Sequence, residues 1–386
     1  MNAPTLFEIF TPITATFKIL GIHFGKFQNG RIVHSKVGLV QTFTYLVICA
    51  ACTIWFSSLI RINKKFGISF VLFLVMFFRC FGGFLVTTSV LILVFCKHHK
   101  DFLLLTTKIN QLDLCLVEFG LRKRIGRVNR QHRHCGIALL VVINLLFIII
   151  CDMYTIWAVP DGKILFCIII LYPRLVVSTL NIVFFTFSIL IQERFKMMND
   201  IVEKYPTDKK YSLSHLVFLH STLVKITQKL NSIFGLQLLL WVALCVALIV
   251  VDSHGLLYMF IYTPINISQF VIISSKNILT YSFDLCYLAK RCTDLCAEAR
   301  RFKTLLLSIK INIHTEEERN SVVALVLKLM NNKLEITACR LFTIDYDLLV
   351  KICGTIFSYL FIMLQLDQSN SFGPNTSFND TVFNNE

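Results

Sequence analysis

Seven stretches of the chain are apolar over close to 20 residues or more, at residues 37–60, 68–96, 136–158, 164–192, 233–251, 255–283 and 346–366. A helix of that length crosses the hydrocarbon core of a bilayer. The fifth and sixth stretches are separated only by Asp252-Ser253-His254, which reads as a tight connection between two spans. The other connections fall into two kinds, short ones and three long ones at residues 97–135, 193–232 and 284–345. The long ones show helical periodicity rather than linker composition. In the last of them Val322, Val323, Leu325, Val326, Leu329 and Met330 recur at helical spacing, preceded by Glu316-Glu317-Glu318 and by Thr315 in the N-cap position. Acidic side chains suit the start of a helix, so a helix is expected at about 316–334, directly before the last span.

Composition sharpens this picture. Of the 386 residues 55% are hydrophobic, only 16% are charged, 35 are Phe, and the mean hydropathy is +0.68. A soluble domain has about 25% charged residues. The pattern predicts an all-α membrane protein with seven transmembrane helices and cytosolic helical extensions. Residues 1–24 contain Pro4, Glu8 and Pro12 and lack a basic start before an apolar core, so they do not read as a signal peptide.

The net charge of +15 matters through its distribution. Residues 1–36, 97–135, 193–232 and 284–345 carry 4, 9, 7 and 10 lysines and arginines, 30 in all, whereas residues 61–67, 159–163, 252–254 and 367–386 carry 4 in all. Positive charge stays on the cytosolic side. The N-terminus is therefore expected in the cytosol and the C-terminus outside. A basic chain of this kind implies no nucleic-acid partner. The tail holds two glycosylation sequons, at Asn375 and Asn379, which this orientation exposes, and a third at Asn266 falls inside a span. All 14 cysteines avoid the outer segments, so no outer disulfide framework is expected.

Chemistry-bearing motifs are scarce. No phosphate loop, catalytic triad or cofactor motif is present, so the chain does not read as an enzyme and implies no cofactor. His98-His99 and His132-Arg133-His134-Cys135 lack ligand spacing for zinc, and Cys292 and Cys296 read as packing residues. A G-protein-coupled receptor would have its N-terminus outside, an Asp-Arg-Tyr after span three and an Asn-Pro-x-x-Tyr in span seven. None of these fits.

The last span carries two polar side chains, Ser358 and Gln365, seven residues apart and so on one helical face with Phe361 and Ile362 between them. A polar stripe in lipid requires a partner or water. The run Ser358-Tyr359-Leu360-Phe361-Ile362-Met363-Leu364-Gln365-Leu366 resembles the closing motif of insect gustatory receptors, Thr-Tyr, five hydrophobic residues, Gln-Phe, with Ser for Thr and Leu for Phe. Pro12 and Ile19-Leu20-Gly21-Ile22 are similar to the start of many members.

The resemblance implies a tastant-gated, non-selective cation channel in the plasma membrane of gustatory neurons. It would be a homotetramer or a co-assembly with related subunits. Residues 1–36 form a cytosolic segment and 37–283 hold spans one to six with a ligand pocket. Residues 284–345 form an inner loop with an anchor helix, 346–366 a pore-lining helix, and 367–386 an outer tail. Ser358, Phe361, Ile362 and Gln365 would face the pore, with Phe361 or Ile362 as the gate and Gln365 as an amide ring near the outer mouth. The bland alternative makes Ser358 and Gln365 polar contacts to neighbouring helices. Tyr359 lies off this face and is expected to pack on span five or six, Asp367 stands at the mouth, and Lys276 and Lys351 lie nearer the inner face.

The outer halves of the other spans hold Arg79, Asp152, Tyr154, Trp157, Tyr172, Arg174, Tyr258, Tyr262 and Gln269. These either line the pocket, with Asp152 neutralising Arg79 or Arg174, or form a structural ion pair and an interfacial aromatic belt. A sugar, a bitter compound or another plant-derived compound suits such a pocket, the plant-derived and bitter ones slightly better. The alternatives to a channel are a metabotropic seven-span receptor and a small-solute transporter, the latter disfavoured by the absence of an internal repeat.

Overall fold

The structure, a computed structural model, describes residues 26–28, 31–33, 81–92, 99–131, 171–204, 213–262, 268–311 and 334–371, with isolated helical positions between them at 43, 44, 47, 50, 51, 54, 146, 316, 320, 323, 324, 326 and 327. Lys26–Gln28 (β1) and Arg31–Val33 (β2) pair as an antiparallel hairpin with Phe27 opposite Ile32. Helices follow at Gly83–Ile92 (α1), His99–Leu116 (α2), Arg122–Gln131 (α3), Tyr172–Lys204 (α4), Leu213–Tyr262 (α5) and Ser268–Ile311 (α6). A second two-stranded hairpin, Thr337–Ala338 (β3) and Phe342–Thr343 (β4), leads into the last helix, Tyr346–Ser371 (α7).

The expected all-α character is what the chain adopts, and the start of the last span at Tyr346 coincides with the start of α7. Among the described residues, α4, α5 and α7 are long and apolar enough to cross a membrane. The 50 residues of α5 extend about 75 Å at 1.5 Å per residue, more than twice the hydrocarbon thickness. The connections 193–232 and 284–345 thus owe much of their helical periodicity to continuation, residues 193–204, 213–232 and 284–311 prolonging the spans beyond the apolar zone, whereas 97–135 holds α2 and α3. In the sequence Pro206 stands just beyond the end of α4 and Pro264 just beyond the end of α5, and proline disfavours helix in the residue before it.

One connection differs from expectation. Asp252-Ser253-His254 does not join two spans but lies inside α5, with Asp252 and His254 buried. Helix α5 runs to Tyr262 and α6 begins at Ser268, so residues 255–262 complete α5 and α6 is shorter at its start than expected. Three polar side chains look like a loop in sequence, yet a buried carboxylate is tolerated in a helix that can offer it packed neighbours. Helical positions between 316 and 327 fall where a helix is expected, with Val326 buried and Leu327 exposed, but at Leu334 the chain is already non-helical.

The core is formed by α4, α5 and α6 packed on one another, with α1 and α2 against them. In the charged half of this bundle, Arg194 is wholly buried and held from three sides. Its Nε and Nη2 donate to Asp113 Oδ1 and Oδ2 at 3.0 and 2.7 Å, Nη1 donates to Leu190 O at 2.9 Å, and Nη2 donates to Asn129 Oδ1 at 3.3 Å. A guanidinium in that setting stands only because a bidentate carboxylate meets it. Gly120, between α2 and α3, adopts φ 78° and so kinks the helical path at the point where a side chain would be strained. Asn199 Nδ2 donates to the carbonyl and the carboxylate of Glu298, Lys229 pairs with Asp101, and Arg124 pairs with Asp200.

Candidate functional site

The first candidate site is the last helix. Asp345 starts it: Oδ1 accepts from the Leu348 backbone N–H at 3.0 Å, and Oδ2 accepts from Thr343 Oγ1 at 3.0 Å. This is an N-cap, and Asp347 in the first turn adds charge of the favourable sign. Leu348, Leu349, Ile352 and Ile356 recur at helical spacing and pack on the core. Beyond them almost nothing of α7 is covered by the subunit.

The four pore candidates are all exposed. Ser358, Phe361 and Gln365 form a continuous stripe with Gly354 on the side away from Ile352 and Ile356, and Ile362 lies about 100° from Phe361. Phe361 is 63% and Ile362 49% exposed. Ser358 Oγ donates to the Gly354 carbonyl at 2.9 Å, and Thr355 Oγ1 to the Lys351 carbonyl at 2.8 Å. The Ser358 hydroxyl is thus satisfied within its own helix, which removes its need for a bond to a neighbouring one. A Cβ built on Gly354 would meet nothing within 4 Å, so the stripe stands in open space. Tyr359, expected to pack on span five or six, is 55% exposed in the subunit.

The second candidate site is the pocket. Arg79, Asp152, Tyr154 and Trp157 lie outside the described residues, as do Asn266 and the tail sequons Asn375 and Asn379. Tyr172 and Arg174 open α4 around Pro173, which occupies the first turn, where its missing N–H is harmless. The Arg174 guanidinium lies over the Tyr281 ring at 5.5 Å, and Trp241 meets the same ring edge-on at 6.4 Å. Asp284 of α6 lies within electrostatic reach of Arg174. The structure therefore brings together Arg174, Tyr281, Trp241 and Asp284, of which only Arg174 was singled out by sequence. Tyr258 belongs to α5 rather than to the sixth span, with Tyr262 ending α5 and Gln269 in the first turn of α6.

Close helix approach shapes this region. Thr87 Oγ1 bonds to the carbonyls of Gly83 and Pro173, and a Cβ on Gly82 would come within 2.7 Å of the Leu244 side chain. Helix α1 is therefore pressed against α4 and α5. Asp252, His254, Ser274 and Asn277, all buried, are the polar residues of this half that sequence reasoning did not select. Asp252 and His254 do carry a signal, charge in an apolar run, but in sequence it resembles that of a loop. Lys276, expected near the inner face, lies eight residues from the start of α6 and hence near the α5–α6 connection, because that helix starts at Ser268.

Among the described residues no group of three or more His, Cys, Asp or Glu side chains is arranged to hold a metal. Comparison with known proteins bears on the whole chain. A family model described as 7tm Chemosensory receptor matches residues 10–370. The fold is similar to that of the insect olfactory receptor OR5 from Machilis hrabei in complex with eugenol, with TM-score 0.65 and 14% identity over 94% of this chain and 98% of that one. The structure of OR5 described without eugenol gives TM-score 0.58 and 15% identity at the same coverage. Among curated protein sequences, nothing matches significantly.

Proposed function

Since this chain belongs to the insect seven-transmembrane chemosensory receptor family, we propose that it is a gustatory receptor, a tastant-gated cation channel whose pore is lined by α7. The observation that carries the pore assignment is the exposure of α7. A helix of membrane-spanning length and composition stands almost bare of its own subunit, with Ser358, Phe361 and Gln365 aligned on the side away from its packing residues. Exposed apolar surface of this extent asks for protein or lipid. Symmetric copies of α7 around an axis would bury part of it and turn the polar stripe towards a common lumen. Gln365 then contributes amide dipoles to an ion path, and Phe361 a dry constriction.

The same reading places the charged half of the bundle in the cytosol, following the distribution of lysine and arginine. The ligand is a small organic molecule held by the cluster around Arg174, Tyr281 and Trp241. A cation–π contact and a T-shaped ring pair offer an aromatic wall with one charged edge. The chain is a receptor of a family that performs no catalysis.

Expression of the full chain in cells, alone and with related subunits, tests this directly. Tastant-evoked cation currents are expected in the presence of a G-protein inhibitor. Responses abolished by that inhibitor would transfer the chain to the metabotropic reading.

A further inference from the structure

Helix α3 turns a basic face away from its own subunit. Between residues 122 and 133 the sequence holds six lysines and arginines and no acidic residue. Ile125 and Asn129, four residues apart, are buried in the bundle. Lys123 and Arg127 lie on the opposite face and are exposed, as is Arg122, and that face continues at Arg130. Arg122, Lys123 and Arg127 have no ion-pair partner among the described residues. The nearby carboxylates of α2 and α4 are occupied by other cations: Asp200 by Arg124, Asp113 by Arg194, Glu193 by Lys196 and Glu203 by Arg301. Glu118, before the kink at Gly120, is the nearest acid along the chain.

Helix register fixes the depth of this face. Arg124 meets Asp200 and Asn129 meets Arg194, so α3 runs along α4 in the opposite direction. The apolar run of α4 ends at Gln192, and span three is expected from residue 136. Arg127 then comes level with about Met197 and Lys123 with about Ile201, roughly 8 and 14 Å beyond that apolar end. The headgroup layer of a bilayer is roughly 5–8 Å deep on each side. The basic face therefore begins beside the headgroups and reaches past them into water.

A cationic cluster of this size just cytosolic of a span attracts anionic lipid. Depth selects the lipid. The charged groups of phosphatidylserine stay within the headgroup layer. Phosphomonoesters on an inositol ring project beyond it, towards the level of Arg127 and Lys123. Guanidinium forks match such phosphates bidentately, and a lysine adds a point charge. A protein that engulfs a basic helix needs its apolar face as well, and here that face is packed in the core. We propose that Arg122, Lys123 and Arg127 form a docking surface for inner-leaflet lipids whose inositol headgroup carries phosphomonoesters. This rests on the cytosolic placement of the charged half of the bundle and goes beyond the channel reading.

The test titrates the full chain, purified in detergent, with three probes: dioctanoyl phosphatidylinositol 4,5-bisphosphate, dioctanoyl phosphatidylserine and free inositol 1,4,5-trisphosphate. The bisphosphate lipid is expected to bind at least about tenfold more tightly than the serine lipid, with an affinity that falls as salt rises. It should also exceed the free trisphosphate, because its chains hold it in the micelle beside the protein. Lys123→Gln with Arg127→Gln should weaken its binding about 25-fold, fivefold for each cation lost. Lys225→Gln with Lys290→Gln removes the same charge from exposed positions on α5 and α6 and should leave binding unchanged. Lys123→Arg with Arg127→Lys should retain it. All three pairs are expected to keep the wild-type thermal midpoint, since only exposed side chains change.

Equal affinity for phosphatidylserine or for free trisphosphate overturns the proposal. So does an equal loss in the two glutamine pairs, or capture of calcium-loaded calmodulin by this face in place of lipid. Binding in micelles is blind to orientation. An N-terminus found outside the cell therefore contradicts the cytosolic placement without altering the titration, and absent binding contradicts the docking surface alone.

Discussion

Asn231 holds Thr337 by two hydrogen bonds: Nδ2 donates to Thr337 Oγ1 at 3.1 Å, and Oδ1 accepts from the Thr337 backbone N–H at 3.2 Å. The pair ties α5 to the β3–β4 hairpin, and the hairpin leads through Thr343 and Asp345 to the first turn of α7. One turn along α5, a Cβ on Gly235 would approach the Cys339 backbone nitrogen to 3.3 Å. At the hairpin tip Cys339 and Arg340 adopt φ 51° and 62° without being glycine. Each such residue costs roughly 1–2 kcal/mol, so the contacts on either side hold a turn that would otherwise relax.

Movement of α5 on ligand binding would therefore reach α7 through Asn231. Asn231→Ala is expected to raise the ligand concentration for half-maximal current by fivefold or more, with Gly235→Ala acting in the same direction. Surface labelling checks that receptor number is unchanged. A wild-type dose–response curve in both variants would remove the hairpin from the coupling route.

The buried Arg194–Asp113 pair makes a stability prediction. Asp113→Ala leaves a wholly buried guanidinium without its bidentate partner, which costs about 3–5 kcal/mol. The expected result is a large fall in the thermal midpoint of the purified protein and poor surface delivery. The double replacement Asp113→Leu with Arg194→Met should recover much of the loss, since it removes the charge as well as its partner.

Burial of His220 is expected to make the fold acid-sensitive. The imidazole is buried against Phe302, stacked at 4.3 Å, and Phe195, and its Nε2 meets the Ala299 carbonyl at 3.1 Å. Burial is the dominant cause that lowers its pKa from 6.5 to about 4, outweighing the carbonyl contact. The unfolded chain therefore binds a proton in the window from pH 6.5 to 4 while the folded chain does not. The stability contribution is complete above pH 6.5 and is lost as pH falls to 4, by about 3 kcal/mol in total. His220→Gln should flatten the pH dependence of the thermal midpoint in that window. An unchanged slope would assign the acid sensitivity to other groups.

Orientation is tested by the tail. Asn375→Gln and Asn379→Gln are each expected to remove one glycan, and an N-terminal epitope should be reached by antibody only after permeabilisation. Labelling of that epitope on intact cells would reverse the orientation and place the charged half of the bundle outside.

Much of the architecture was legible because membrane burial is written in composition. The length of apolar run predicted Tyr346 as the start of α7, and periodicity in the long connections predicted the extensions of α4, α5 and α6. The α5–α6 connection was misplaced because Asp252 and His254 advertise water, whereas packing in the bundle buries them. The helix-ending signal was Pro264. The polar stripe of α7 was readable from the spacing of Ser358 and Gln365. Its exposure was not, because only packing decides which face of a wholly apolar helix its own subunit covers. Asp284, Tyr281 and Trp241 around Arg174 come from helices far apart in sequence, so no local pattern marks them as neighbours.

The central claim is that the exposed stripe of α7 lines the ion path, and cysteine accessibility during ligand-evoked current tests it most directly. In a Cys353→Ser background, since Cys353 is exposed on the same helix, Ser358→Cys, Phe361→Cys and Gln365→Cys are made singly. Ile352→Cys and Ile356→Cys serve as controls on the packed face. A charged methanethiosulfonate reagent applied from outside is expected to reduce current through the three stripe variants and to spare the two controls. Block at Ile352 and Ile356 with no effect at Ser358, Phe361 and Gln365 would contradict the account.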